Sequence, residues 1–255
     1  MLKLGNLDEE GHPPLLTVEI LGVPFSTMTE QEVLSVCTDY MQGVEPRFVI
    51  TAGPELIMRV KGDPELQDAL AHADVVTPDG IGVVIASRWY GQPLKERVTG
   101  VDLTHKLLAC AAQSGQRVYL LGASEANLRR ALDNIRIAHP GLRIIGRNGY
   151  FTNDEISAVV AAIRNEAPHL LLVGMGQPAQ EKFLFAQLQA LGVPLSIGVG
   201  GVIDVLSGSV KRAPEFFQKA KLEWLYRLLK EPTRLKRQMA LPRFAVAAWR
   251  DAKLR

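Results

Sequence analysis

Asp79 is the residue whose surroundings most clearly suggest chemistry. It lies in the stretch VVTPDGIGVVIASRW, between what the pattern predicts to be a buried strand and a buried helix. A carboxylate at such a strand end can act as a general base that takes a proton from a hydroxyl nucleophile. No second carboxylate stands close in the motif, which argues against a hydrolase that uses two carboxylates. The structural alternative, which the pattern alone leaves open, is that Asp79 only caps the helix that follows.

Further candidate binding residues follow other predicted strands, and all of them are small or polar. They are Thr51, Gly122, Gly176, Gln180 and Gly200. Glycine lets backbone amides approach a phosphate, and a helix that starts beyond it adds a favourable dipole. Tight strand-to-helix turns need glycine in any case, so each glycine cluster alone also fits a purely structural role. The segment GVGGVID is a poor match to the GxGxxG fingerprint, which argues against a nicotinamide cofactor.

The chain lacks the common motifs that hold a catalytic metal or a nucleotide phosphate. No Asp-x-Asp, Walker-type GxxxxGK[ST] or HExxH segment occurs in it. We therefore expect no metal and no cofactor, and arginines or amides would have to balance the charge of a nucleoside diphosphate leaving group. The candidate arginines are Arg212, Arg227, Arg234 and Arg237. Their alternative role is solubility or contact with lipid.

The elements that must position these residues form an alternating pattern. Short runs rich in Val, Ile and Leu alternate with longer amphipathic segments, as in βα units around a largely parallel sheet. We expect a Rossmann-like α/β fold with helices on both faces of this sheet. In such sheets ligands bind beyond the carboxyl ends of the strands. The candidate strands are LLTVEILGV, RFVIT, DVVT, RVYLLGA, LRIIG, HLLLVGMG and PLSIGVG.

Several helix starts can also be predicted. Thr29 followed by Glu32 fits a capping box, and Asp63 precedes Pro64 at a first helical turn. Asn153 leads the helical segment DEISAVVAAIRNEA.

The C-terminal segment differs from the rest in charge and pattern. From Lys211 onwards there are 13 Lys and Arg against 4 Asp and Glu, whereas the remainder holds 16 against 23. We expect an α/β core over residues 1–210 and a basic amphipathic helical appendage over 211–255. Prolines at 214, 232 and 242 divide this appendage into about three short helices. Its charge points to an anionic partner such as phosphates or the lipid head groups of an anionic membrane surface, and the alternative is a solvated helix face.

The sequence also suggests a compartment. No apolar run reaches the roughly 18 to 20 residues that span a bilayer, and the N-terminal MLKLGNLDEEGHPP lacks the layout of a secretory signal. We expect a cytoplasmic protein that is peripheral on the inner face of the cell membrane. The sequence leaves open whether it forms a homo-oligomer.

Seven segments of the chain, in order, resemble the WecG/TagA/CpsF family of bacterial glycosyltransferases, which is glycosyltransferase family 26. The resemblance runs from about Val18 to Pro242. The segments are VTPDGIGVVIASRW, ERVTGVDL, YLLGAS, NGYF, GMGQPAQEKF, GVGGVIDVLSGSVKRAPEFF and LEWLYRLLKEPTRLKRQMALP. The resemblance implies inverting transfer of a sugar from a UDP-sugar to a polyprenyl-diphosphate-linked sugar, in the synthesis of a cell-surface polysaccharide.

The resemblance also implies roles for individual residues. Asp79 matches the proposed base, whereas Thr51 and Gln180 match polar residues of the sugar pocket. Arginines of the appendage are expected to close over the diphosphate, and by motif position they are Arg227, Arg234 and Arg237. One position departs from the family pattern, because Gly53 stands where an Asn is frequent. The donor, an N-acetylmannosamine-type sugar or a plain hexose, therefore stays open.

Two other classes of protein remain as alternatives. A Rossmann-type oxidoreductase would account for the sheet and the glycines, but its fingerprint is missing. A non-catalytic membrane-surface module would account for the basic appendage, but it would leave Asp79 and Gln180 without a role. A nucleic-acid-binding module lacks an aromatic-interleaved basic stripe on the core, so we expect no nucleic acid partner.

Overall fold

The computed structural model describes residues 16–219, 223–230 and 239–255. These residues form the strands β1 (Thr17–Ile20), β2 (Val23–Ser26), β3 (Arg47–Ala52), β4 (Val75–Pro78), β5 (Arg117–Gly122), β6 (Arg143–Arg147), β7 (Leu170–Gly174) and β8 (Leu195–Gly198). The last six make one sheet in the order β4-β3-β8-β7-β5-β6, and every neighbouring pair in it is parallel. The predicted Rossmann-like α/β fold is confirmed.

Helices connect these strands and cover the sheet. They are α1 (Glu30–Gln42), α2 (Pro54–Val60), α3 (Pro64–His72), α4 (Ile81–Ser87), α5 (Gly100–Gln113), α6 (Glu125–Ala138), α7 (Ile156–Glu166), α8 (Ala179–Leu191), α9 (Val202–Leu206), α10 (Glu215–Lys219), α11 (Glu223–Lys230) and α12 (Ala240–Leu254). Single 3-10 turns lie at Arg88–Tyr90 and Asn153–Glu155.

Alternation along the buried strands divides the core between the two faces of the sheet. In β3, Phe48 and Ile50 pack in the cluster that includes Leu184 of α8, whereas Val49 packs in the cluster that includes Leu107 of α5. Successive side chains of a strand point to opposite faces, so a strand covered on both sides is mostly apolar along its whole length. This is why the central strands read as continuous Val, Ile and Leu runs.

The first predicted strand, LLTVEILGV, is wrong as a single strand. It contains the whole of β1, a turn and the start of β2, which pair in an antiparallel hairpin. Leu21 and Gly22 form the turn, with φ angles of 51° and 81°. Two successive residues with positive φ reverse the chain tightly, and an apolar residue such as Leu is rarely found in the first of these positions.

The predicted helix starts agree with the structure in two of three cases. Thr29 and Glu32 form the capping box of α1, and the side chain of Asp63 caps α3 with Pro64 in the first turn. The third start is shifted, because Thr152 forms a capping box with Glu155 before α7 begins. Asn153 is therefore the first residue of a short 3-10 turn and not the cap.

The last helix packs against the α/β core. Phe244 and Ala248, one turn apart on α12, are buried in the same cluster as residues of α2 and α4. Tyr90 donates a hydrogen bond to Asp251 at 2.9 Å, and Arg255 pairs with Glu19 of β1 at 2.6 Å. Apolar contact and polar contacts thus both hold the C-terminal helix on this face of the sheet.

The prolines of the appendage divide it less regularly than the sequence predicts. Pro214 precedes α10, as expected for a proline at a helix start. Pro242 lies in the first turn of α12, where a missing N–H costs nothing, and so does not break the helix. Pro232 lies outside the described residues. Among the described helices, none is both long enough and apolar enough to cross a membrane.

The packing of α12 predicts that its buried face contributes to the stability of the whole fold. Phe244→Ala removes a ring that is 2% exposed, so the free energy of unfolding should fall by about 3 to 5 kcal/mol. Trp249→Ala, on the exposed side of the same helix, is the control and should cost about 1 kcal/mol or less. Denaturant unfolding of both variants measures this. Equal, small effects would mean that α12 is not part of the cooperative core.

Candidate active site

Asp79 lies directly after β4, at the carboxyl edge of the sheet. Its backbone N–H donates to the carbonyl of Ala52 at the end of β3, at 3.1 Å, which ties the two strand ends together. The N-cap position of the following helix, α4, is occupied by Gly80. Asp79 is half-buried and precedes the cap. The cap position of α4 is therefore not Asp79, which stands at the edge where α/β sheets bind ligands.

The segment before α5 closes one side of this edge. The N–H of Val98 bonds to the carbonyl of Pro78 at 3.1 Å, next to Asp79. Thr99 caps α5, since its hydroxyl accepts from the N–H of Asp102. A Cβ on Gly100 would lie 3.2 Å from the hydroxyl of Thr51, so glycine permits a close approach here. The start of α5 thus lies against the ends of both β3 and β4.

Thr51 and Gln180 were predicted separately as site residues. In the structure both side chains contact the same residue of β8, Gly198. The hydroxyl of Thr51 donates to the carbonyl of Gly198 at 3.0 Å. A Cβ on Gly198 would lie 2.9 Å from the amide nitrogen of Gln180, so this side chain rests on the glycine. Thr51 is 3% exposed and Gln180 is fully buried. Thr51, Gln180 and Gly198 thus form the buried base of the candidate site, which we call the floor.

The loop between β7 and α8 joins this floor to α2. The Gln177 side chain donates to the carbonyl of Thr51 at 3.3 Å, and Arg59 donates to the carbonyl of Gln177 at 3.0 Å. The loop therefore bridges the strand ends of β7 and β3, although β8 lies between them.

The strand-end glycines are explained by close contact between neighbouring loops. A Cβ on Gly122 would collide with the carbonyl oxygen of Gly174, and one on Gly174 would lie 2.7 Å from that of Gly200. Gly176 and Gly200 have φ angles of 82° and 56°, which other residues rarely adopt. Close packing accounts for Gly122 and Gly174, and positive φ for Gly176 and Gly200, so binding of a phosphate by these glycines stays a prediction.

Arg212 occupies the centre of an ion-pair network beside the floor. Its guanidinium contacts Asp102 at two points, at 2.7 and 2.8 Å, and Glu223 at 3.3 Å. The second oxygen of Glu223 pairs with Arg97 at 2.8 Å. Burial alone would raise the pKa of Asp102, but hydrogen bonds from Arg212 and Thr99 hold that pKa below its usual value. This network attaches α11 to the segment that adjoins Asp79.

Glu181 is the most unusual titratable residue near the strand ends. It is fully buried, and burial raises its pKa to about 7, although hydrogen bonds from the Gln180 side chain, its own backbone N–H and the Gln177 side chain act in the opposite direction. One oxygen accepts from the Gln180 amide at 2.8 Å. The other has no hydrogen-bond partner among the residues that the structure describes.

The remaining predicted residues are only partly described. Arg227 belongs to α11, and Arg234 and Arg237 lie outside the described residues. Within residues 16–219, 223–230 and 239–255, no group of three or more His, Cys, Asp or Glu side chains could hold a metal ion.

Sequence reasoning missed four charged residues of this region, which are Arg97, Asp102, Glu181 and Glu223. Arg97 and Asp102 lie in the segment ERVTGVDL, and Glu181 follows Gln180 directly. These residues lie in the segments that carry the family resemblance, and this position could have identified them as candidates. Arg97, Asp102 and Glu223 pair with residues distant in sequence, so these ion pairs could not be read from the spacing.

The fold and these contacts define the class of protein, which is a Rossmann-like α/β protein whose site lies at the carboxyl edge of a parallel sheet. The model of the Glycosyl transferase WecG/TagA/CpsF family matches residues 18–255. The chain therefore belongs to this family and is a glycosyltransferase.

Curated relatives share this family. The chain is similar to an N-acetylglucosaminyldiphosphoundecaprenol N-acetyl-beta-D-mannosaminyltransferase of Bacillus spizizenii, with 35% identity over 82% of this chain and 81% of the relative. A protein of the same name from Bacillus subtilis is 33% identical over 80% of each chain. Another from Staphylococcus aureus is 31% identical over 89% of this chain and 90% of the relative.

The buried carboxyl of Glu181 predicts a pH-dependent stability. Its folded pKa of about 7 lies above its ordinary 4.5, so the folded protein binds the proton more tightly than the unfolded chain does. The free energy of unfolding should therefore fall as the pH rises from 4.5 to 7. Glu181→Gln removes this dependence, and its stability relative to the wild type should rise by up to about 3 kcal/mol from pH 5 to pH 8.

Denaturant unfolding of the two proteins at several pH values measures this difference. Glu125→Gln, at an exposed carboxylate of α6, is the matched control and should show no such rise. A constant difference between Glu181→Gln and wild type from pH 5 to pH 8 would contradict the raised pKa.

Proposed function

We propose that this glycosyltransferase moves a sugar from a UDP-sugar to a polyprenyl-diphosphate-linked sugar, with inversion at the anomeric carbon. The observation that carries the proposal is Asp79, a half-buried carboxylate at the end of β4 with Gly80 in the helix cap. The relatives support the acceptor, because their names specify an N-acetylglucosaminyl-diphosphoundecaprenol. The names also specify a beta-D-mannosaminyl group, which fits a single displacement of an α-linked donor.

In this mechanism Asp79 is the general base. The acceptor hydroxyl attacks the anomeric carbon of the donor, and its proton passes to the Asp79 carboxylate. The bond between the anomeric carbon and the diphosphate oxygen breaks at the same time, and UDP leaves with the bonding electron pair. Partial burial suits this role, because desolvation makes a carboxylate a better proton acceptor than it is in water.

Arginines, and not a divalent cation, balance the charge of the leaving diphosphate in this proposal. The chain has no Asp-x-Asp motif for a metal-bound nucleotide, whereas basic residues follow the core in sequence. Arg227, Arg234 and Arg237 are the proposed contacts. Arg212 already bonds to Asp102 and Glu223, so we assign it first to holding α11 beside the site.

The donor sugar is proposed to contact the end of β3. Thr51 lies there, and Gly53 follows as the N-cap residue of α2. Nothing lies within 4 Å of the place where a Cβ on Gly53 would stand. The chain thus leaves open space where the family pattern often supplies an Asn, and it lacks any hydrogen bond that such an Asn side chain could make to the donor sugar.

Transfer to a short-chain polyprenyl-diphosphate N-acetylglucosamine tests the proposed function. The donors are UDP-N-acetylmannosamine, UDP-N-acetylglucosamine, UDP-glucose and UDP-galactose, each with and without a strong chelator. We expect transfer from at least one donor in the presence of the chelator. Thermal stabilisation by NAD(H) and by none of the UDP-sugars would favour the oxidoreductase alternative instead. Vesicle binding without any transfer would favour the non-catalytic membrane module.

Asp79→Asn tests the base directly. The variant keeps the size of the side chain but cannot take the proton, so turnover should fall by about 100-fold or more. The measurement is the initial rate with the best donor, together with the melting temperature. Asp133→Asn, at an exposed position of α6, is the control and should be fully active. Near-normal turnover of a folded Asp79→Asn protein would exclude Asp79 as the base.

The membrane surface is proposed to bind the exposed side of α12. Val246 and Trp249 are about half exposed, and Arg243, Arg250 and Lys253 are exposed on the same side of the helix. A helix side of this composition favours the surface of an anionic bilayer, with about 1 kcal/mol of attraction for each basic residue. The acceptor lipid would bring the enzyme to the inner face of the cell membrane.

Vesicle flotation tests this surface. Val246→Ser combined with Trp249→Ser should weaken binding to phosphatidylglycerol-containing vesicles about tenfold or more, because it removes the apolar contact and keeps the charge. Ile137→Ser, at an exposed apolar residue of α6, is the control and should bind like the wild type. Unchanged binding of the double variant would place the membrane contact elsewhere on the chain.

A further inference from the structure

The floor of the candidate site contains a carboxylate that no step of the proposed mechanism uses. Glu181 lies at the start of α8 and is fully buried, next to Gln180. Its Oε1 accepts a hydrogen bond from the Gln180 Nε2 at 2.8 Å, and its Oε2 has no partner among the described residues. Burial of a carboxyl group without a countercharge destabilises a fold, so an acidic residue here calls for a reason other than stability.

We infer that Glu181 is needed to orient the Gln180 amide, because the oxygen and the nitrogen of this amide have different partners. Its Oε1 accepts from the N–H of Gly200 at 2.9 Å, while its Nε2 donates to Glu181. A reversed amide would set its NH₂ against the N–H of Gly200 and its oxygen against the carboxylate. The contact with Gly200 would then be repulsive, and so would the contact with an ionised Glu181, so a carboxylate at position 181 favours the observed orientation of the amide.

The orientation of this amide fixes the position of the loop after β8. Gly200 belongs to that loop, and Gly198, at the end of β8, also accepts from the Thr51 hydroxyl at 3.0 Å. The carbonyl of Gly200 in turn packs closely on Gly174, and the carbonyl of Gly174 on Gly122. A shift of the loop after β8 would therefore reach the ends of β7 and β5.

We propose that Glu181 is a positioning residue for the transfer reaction, because its carboxylate orients the Gln180 amide and so holds the loop of Gly198 to Gly200 in place. Glu181 is fully buried, so it acts on the substrate through Gln180 and the loop. The expected loss of turnover rests on the proposed function, whereas the expected effect on the loop does not. The effect on the loop can be measured without any substrate. Misplacement of a reacting group by about 1 Å can cost about 100-fold in rate, so a small loop shift is sufficient.

Two substitutions of Glu181 distinguish its effect on the orientation of the Gln180 amide from the effects of its charge and of its volume. Glu181→Gln keeps an oxygen that can accept from Gln180, but loses the charge. Glu181→Met keeps the volume and has no such acceptor. We expect kcat to fall at least about 30-fold in Glu181→Met and less than about fivefold in Glu181→Gln, with KM changed less than kcat in both.

Hydrogen exchange of the Gly200 amide gives the readout that needs no substrate. Loss of the orientation should speed this exchange at least about tenfold in Glu181→Met and much less in Glu181→Gln. The melting temperature of Glu181→Met at pH 8 should equal or exceed that of the wild type, since a buried ionisable group is replaced by an apolar one. Reduced turnover would then accompany an intact fold.

The outcomes are distinguishable. Unchanged Gly200 exchange in Glu181→Met would overturn the positioning role, whether or not the protein transfers a sugar. Faster exchange with unchanged kcat would overturn the catalytic consequence. Equal loss of kcat in both variants would also contradict the proposal, because it would assign the effect to charge. Faster exchange in a protein whose wild type transfers no sugar from any donor would confirm the effect on the loop and reject the proposed function.

Discussion

The hydrogen bond from Thr51 to the carbonyl of Gly198 is the contact on which the rest of the candidate site depends. It joins the ends of the neighbouring strands β3 and β8. This pair connects β4, at the edge of the sheet, to β7, β5 and β6. Gln180 rests on the same glycine, and Asp79 is tied to the end of β3 through Ala52. The position of Asp79 relative to the β8 loop is therefore set by buried polar contacts. Such contacts are costly to break where they are shielded from water.

The same contacts explain why so much of this edge consists of small or amide side chains. Loops from three adjacent strands approach one another through backbone atoms at Gly122, Gly174 and Gly200. Their polar groups must find partners within the protein, and the amide of Gln180 supplies one for Gly200. Sequence patterns predicted that these positions matter. They could not separate ligand binding from loop packing, because both demand a residue without a side chain.

The fold could be predicted because buried parallel strands read as continuous apolar runs and because capping residues mark several helix starts. The hairpin was missed, since Leu21 in its turn has no turn signal of its own. The ion pairs of Glu223 with Arg97 and Arg212 were also missed, because their partners are brought together only by the fold. The sequence likewise shows α12 as basic and amphipathic. Only the structure shows that Phe244 is buried in the core while Trp249 stays exposed on the same helix.

The stereochemistry of the product tests the central claim most directly, namely that Asp79 activates the acceptor for a single displacement. An α-linked UDP-sugar and a lipid-linked N-acetylglucosamine acceptor would be incubated with the enzyme, and the new anomeric linkage determined by proton and carbon NMR. We expect a β-linked product, formed by the wild type and strongly reduced in Asp79→Asn. An α-linked product would contradict the central claim, because retention requires a different set of catalytic groups at this edge of the sheet.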